Sequence, residues 1–148
     1  MASRIDISVE EKDFDISKEL EKIKSFSVTS GAVVFFVGKV REIEDNKLDF
    51  LCIESFPEMA EKEIKKICEE SLKQWKLDCV IVKHRHGKLK LNDNIVLVAT
   101  SSIHRDKAYE ASMHIMNLLK SHVPFWKKEI TGNKENWVEN NHSDSSLG

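Results

Sequence analysis

The run Ala32–Val37, entered through Gly31 and left through Gly38, constrains this chain more than any other stretch. It is the longest apolar run, far short of the ~20 residues a membrane span needs. A near-continuous apolar segment of this length predicts a strand over 31–40 that is central and buried on both faces. Such a strand needs amphipathic partners to cover it. The clearest lies over 57–75, where Ala60, Ile64, Ile67, Cys68, Leu72 and Trp75 fall at helical spacing behind Pro57, a residue suited to a first helical turn. A second long helix is predicted over 104–122 with Ser101 or Ser102 as its N-cap, and a short one over 15–25 with Ile16, Leu20 and Ile23 on one face.

Strands are predicted over 4–10, 50–56 and 79–87. Residues 88–102 read as two strands joined at Asn92-Asp93-Asn94, and Phe125–Thr131 and 136–140 as short strands around Gly132. The charged stretch 41–49 lacks apolar periodicity and predicts a mobile loop. Strands and helices interleave irregularly, with two hairpin signals. The expected class is α+β, a mixed and mostly antiparallel sheet with helices packed on it. At 148 residues one domain is expected, over 1–140, followed by a polar, disordered tail over 141–148.

Charge and composition exclude several classes of function. The net charge of -2 gives no basic field for nucleic acid, so any anion site must be local. The N-terminal residues lack the apolar region of a secretory signal. Cys52, Cys68 and Cys79 form no Cys-x-x-Cys pair, and three free buried thiols in a reducing cytoplasm are expected. No nucleophile elbow is present, which counts against a hydrolase of that kind.

Four groups of residues carry possible chemistry. His104 and Arg105 open a helix, where free N–H groups and the dipole favour acids over bases. Their presence there suits a bound anion, or else a surface arginine paired with Asp106. Lys39 and Arg41 follow Gly38, which marks either close approach of a ligand or a β-bulge with two solvated cations. Lys120 stands at a helix C-terminus, where the dipole alone explains a cation, whereas Lys127 follows Pro124-Phe125-Trp126, packing that would hold it near the sheet. A partly desolvated lysine beside another cation has a lowered pKa and can serve as acid, base or nucleophile; a snorkelling lysine is the alternative. His84 and His86 share one face of a strand at a spacing that suits a metal, but no third ligand is evident.

In combination these stretches resemble the large, catalytic subunit family of molybdopterin synthase. The resemblance rests on GAVVFFVGKVR (31–41), ESFPEMAEKEI (54–64), VKHRHGKLKLND (82–93), SSIHRDKAYEA (101–111), IMNLLKSHVPFWKKE (115–129) and WVE (137–139), in that order. It implies an α/β hammerhead-type fold and a cytoplasmic enzyme of molybdenum-cofactor biosynthesis that needs no metal or cofactor for its own step. Two sulfurs would pass to cyclic pyranopterin monophosphate from a small ubiquitin-like partner bearing a C-terminal Gly-Gly thiocarboxylate. The assembly would be a heterotetramer around a homodimer of the large subunit, with no nucleic acid and no membrane. By motif, Lys120 and Lys127 would be catalytic, Arg41, His104 and Arg105 would hold the substrate phosphate, and Phe36 and Met116 would line the pocket. The chain departs from the family pattern in two places. The loop after Arg41 has no glycine, and Asn140 follows Trp137-Val138-Glu139 where several relatives have arginine. The alternative is a non-catalytic module that grips a ubiquitin-like tail or a phosphorylated metabolite.

The expected helix adds a constraint. If 104–120 is one continuous helix, His104 and Lys120 are about 24 Å apart along its axis. One small pterin cannot touch both. Either the helix breaks or the pocket takes His104 and Arg105 from one subunit and the lysines from another, and the shared pocket is the expectation.

Overall fold

A computed structural model describes residues 4–43 and 47–138. The expected tail over 141–148 and Asn140 lie outside the described residues, as does the middle of the 41–49 loop. Eight strands and three helices follow one another as β1 (Ile5–Glu10), α1 (Ile16–Phe26), β2 (Ala32–Lys39), β3 (Phe50–Ser55), α2 (Pro57–Trp75), β4 (Cys79–Arg85), β5 (Gly87–Leu89), β6 (Asn94–Ser102), α3 (Arg105–His122), β7 (Phe125–Thr131) and β8 (Lys134–Val138) among the described residues. The class is α+β, but the strands divide into two sheets rather than one. The first is ordered β1-β4-β6-β2, the second β5-β3-β7-β8. β1 lies parallel to β4, and every other pairing is antiparallel.

In the first sheet the strands buried on both faces are β4 and β6. Cys79–Val82 and Leu97–Ser102 are buried without a break. The helices α2 and α3 cover one face through Ile64, Cys68, Ala111 and Ile115, packed with Val80, Val82 and Val98. α1 covers the other through Ile23, against Cys79, Ile81, Leu97 and Ala99. The apolar run at 32–37 is not central. It forms β2, an edge strand whose residues are half-buried. Phe36 packs on the α2/α3 side while Val33, Phe35 and Val37 pack on the α1 side. An apolar run reports which faces are covered, not whether both lateral edges are paired, so the run itself does not distinguish an edge strand from a central one. The register shifts between Gly38 and Lys39, the bulge foreseen there.

The two strands expected over 88–102 do form, but not as a hairpin. Asn92 takes a left-handed φ of 69° at the turn. The chain then changes sheet, because β5 pairs with β3 and β6 pairs with β4 and β2. Nor do Ser101 and Ser102 cap α3. Both belong to β6, and their carbonyls accept the N–H groups of Asp78 (2.8 Å) and Gly31 (3.0 Å). His104 occupies the cap position and makes no side-chain capping bond. Among the thiols, Cys68 and Cys79 are buried, but Cys52 is only half-buried, on the outer face of the second sheet. Leu48, inside the stretch expected to be mobile, is buried, and its N–H donates to a Glu42 carboxylate oxygen.

Candidate active site

The register of the first sheet fixes which residues share an end of the molecule. His84 of β4, Val96 of β6 and Gly38 of β2 form one rung, and Ala32 and Ser102 form another six residues away. At ~3.3 Å per residue these rungs are about 20 Å apart. Arg41 follows β2 at the Gly38 end. His104 and Arg105 follow β6 at the Ser102 end. α3 then runs back across β6 and β2 for 18 residues without a break, about 27 Å. Lys120 in its last turn therefore returns to the Arg41 end. Phe36 and Met116 pack against the same apolar cluster on the α3 side of the sheet.

β7 enters at this end too. The Phe125 ring lies flat on the His84 imidazole, with ring centroids 3.7 Å apart and planes 9° from parallel. Lys127 follows two residues later, so its side chain leaves the same face of β7 as the buried Phe125. Burial lowers the pKa of Lys127 from its ordinary value, and the positive charge of Lys120 lowers it further. The neighbouring Lys128 points the other way. It pairs with Glu135 at 2.9 Å, with its ammonium 5.0 Å from the Trp137 ring. Of two adjacent lysines, then, one is held in a low-polarity site next to a second cation and one is a solvated surface charge.

In the sequence, His84 and His86 stand at a spacing that suits a metal pair. The structure gives His84 a different setting. It is buried, and its Nδ1–H donates to the Arg85 carbonyl oxygen at 2.8 Å, because a carbonyl can only accept. Burial pushes its pKa down to about 3, partly offset by that hydrogen bond; the charges of Lys127 and His86 add to the depression. The folded state leaves His84 neutral while the unfolded chain takes up a proton below about pH 6.5. Stability must therefore fall as pH drops from about 6.5 toward 3. Urea unfolding of wild type should weaken more steeply from about pH 7 to about pH 4 than that of His84→Phe, which cannot take up this proton. Parallel pH slopes would contradict the assignment.

The structure thus brings Phe36, Arg41, Met116, Lys120 and Lys127 to one end of the chain, and leaves His104 and Arg105 at the other. His104 and Arg105 are both exposed. The family model described as MoaE protein matches residues 9–122. The chain belongs to the MoaE family. It is 40% identical over 141 residues to the molybdopterin synthase catalytic subunit of Mesorhizobium japonicum, covering 94% of this chain and 88% of that one. It is 42% identical over 140 residues to the protein of the same name from Vibrio cholerae, covering 93% and 92%. Among solved structures, molybdopterin cofactor biosynthesis protein E from Burkholderia multivorans superposes with a TM-score of 0.81 at 36% identity, over 98% of this chain and 94% of that one. The family match ends at 122, before β7, so Lys127 lies outside the matched span while Lys120 lies inside it.

Proposed function

We propose that this chain is the catalytic subunit of a molybdopterin synthase, an enzyme of molybdenum-cofactor biosynthesis. In this reading it transfers sulfur from a thiocarboxylated small subunit to cyclic pyranopterin monophosphate, forming the dithiolene of molybdopterin. The observation that carries the reading is the Lys120–Lys127 pair, a partly desolvated lysine beside a second cation, at the end of the sheet that also bears Arg41. Two anions must meet in such a site, the pterin phosphate and the thiocarboxylate. A tail ending in glycines can thread a narrow entrance because it carries no side chains. Protonated, Lys120 or Lys127 would donate to the oxygen that leaves as sulfur enters; neutral, Lys127 would take up a proton. Phe36 and Met116 would supply apolar wall. The three free cysteines suit a cytoplasmic setting.

The unbroken α3 bears on where the phosphate is held. Arg105 and Lys120 are about 22 Å apart along one helix, too far for one pterin. The pocket would therefore be completed by His104 and Arg105 of a second copy within a homodimer. Between them the outward face of α3 carries Tyr109 and Met113, both more than half exposed, an apolar strip suited to such an approach.

The test is a sulfur-transfer assay with a thiocarboxylated Gly-Gly small subunit and cyclic pyranopterin monophosphate, scored for dithiolene. Dithiolene formation is expected. A chain that binds the small subunit but yields no dithiolene would instead be a non-catalytic binding module.

A further inference from the structure

The stacked pair His84–Phe125 joins the two sheets at the lysine end, and the proposed reaction gives it no role. His84 stands on β4 of the first sheet and Phe125 opens β7 of the second. The His84 ring is fixed from behind. Its Nδ1–H is held by the Arg85 carbonyl, and Arg85 is itself clamped, Nε to the Glu11 carbonyl at 3.0 Å and Nη1 to the Asn94 carbonyl at 3.1 Å. A rigid, uncharged plate therefore meets Phe125 face to face, and Phe125 is buried. Lys127 leaves the same face of the same strand two residues on, paired across to buried Ile53.

We propose that His84 is a positioning residue for Lys127: by stacking on Phe125 it holds the start of β7 against the first sheet and keeps water from the Lys127 ammonium. The proposal rests on the reading that Lys127 takes part in sulfur transfer. His84 touches no substrate in this account and acts only through Phe125. The titratable groups around Lys127 are Lys120 from α3, the neutral His84 with His86 beyond it from β4, and Glu129 on its own strand. No carboxylate is among the causes of its shift, so desolvation and Lys120 set it. A stack that fails lets water reach the ammonium and weakens both effects.

The test follows Lys127 itself. Full-length protein carrying 13C-lysine is titrated by NMR, with the Lys127 signal identified by its absence in Lys127→Arg. His84→Ala and Phe125→Leu break the stack from opposite sides, so one can stand in if the other fails to fold. His84→Phe keeps an aromatic plate without the imidazole. The Lys127 titration should move up toward the ordinary lysine range, near 10.4, in both stack-breaking variants and stay near its wild-type position in His84→Phe. In the sulfur-transfer assay, the corresponding limb of the pH profile should move with it. An unmoved Lys127 titration in a folded His84→Ala or Phe125→Leu would overturn the proposal, as would an equal shift in His84→Phe. If wild type makes no dithiolene, the functional reading fails, and the NMR titration still decides whether His84 positions Lys127.

Discussion

Lys127→Ala should reduce dithiolene formation by roughly 10²–10⁴-fold, the range for losing a positioned acid or base. The small subunit should still bind, because the loss is of turnover and not of grip. The structure distinguishes this lysine from its neighbour. Lys127 is desolvated beside Lys120, whereas Lys128 pairs with Glu135 on the solvent side. Lys128→Ala should therefore leave turnover within a few-fold of wild type, since a solvated surface pair contributes little. The pH profile should carry an ionisation below the ordinary lysine range, in line with the lowered pKa of Lys127, and Lys127→Ala should remove it. Steady-state rates and small-subunit binding, measured together, check this. Equal losses at 127 and 128 would contradict it.

Ile115→Ala should cost about 2–5 kcal/mol of stability, the usual range for emptying a fully buried isoleucine site. Ile115 is 0% exposed, in the middle of the face that α3 lays on the first sheet. It directly precedes Met116 and lies five residues before Lys120 on the same helix, so it anchors the segment that carries the site. Loss of this side chain should lower the thermal midpoint and loosen the last turn of α3. Thermal unfolding with and without small subunit checks it. A shift no larger than that of an exposed substitution such as Lys65→Ala on α2 would contradict the packing.

The parts legible in the sequence were those written in side-chain periodicity. Ala60, Ile64, Ile67 and Cys68 are all buried on α2, with Pro57 at its first turn, as their spacing requires. The Gly38 bulge and the β7–β8 hairpin around Gly132 were equally visible, because glycines mark backbone that other residues avoid. What the sequence did not carry was lateral position. β2 has the most apolar run in the chain yet lies at an edge, and β5 and β6 are separated by a few residues yet belong to different sheets. Strand order is decided by hydrogen bonds between backbones, and these leave no mark on which residues are apolar.

The candidate site divides the same way. Lys127 could be singled out because Pro124-Phe125-Trp126 precedes it. His84 could not, because a histidine at a strand end reads equally well as ligand, surface group or core. Its partner Phe125 is 41 residues away in sequence, and nothing local announces the stack. The separation of His104 from Lys120 was foreseeable from helix length alone, and an unbroken α3 over Arg105–His122 bears it out within one chain.

A mixing experiment tests the shared pocket most directly. His104→Ala and Lys120→Ala chains are each prepared with small subunit, then mixed to form verified hybrid dimers and assayed for dithiolene. Each parent dimer lacks the same element in both pockets and should be almost inactive. In a hybrid, one pocket combines the intact Lys120 of one copy with the intact His104 of the other, while its twin lacks both. Dithiolene formation should reappear in the hybrids and not in either parent. Hybrids as inactive as the parents would contradict a pocket built from two copies.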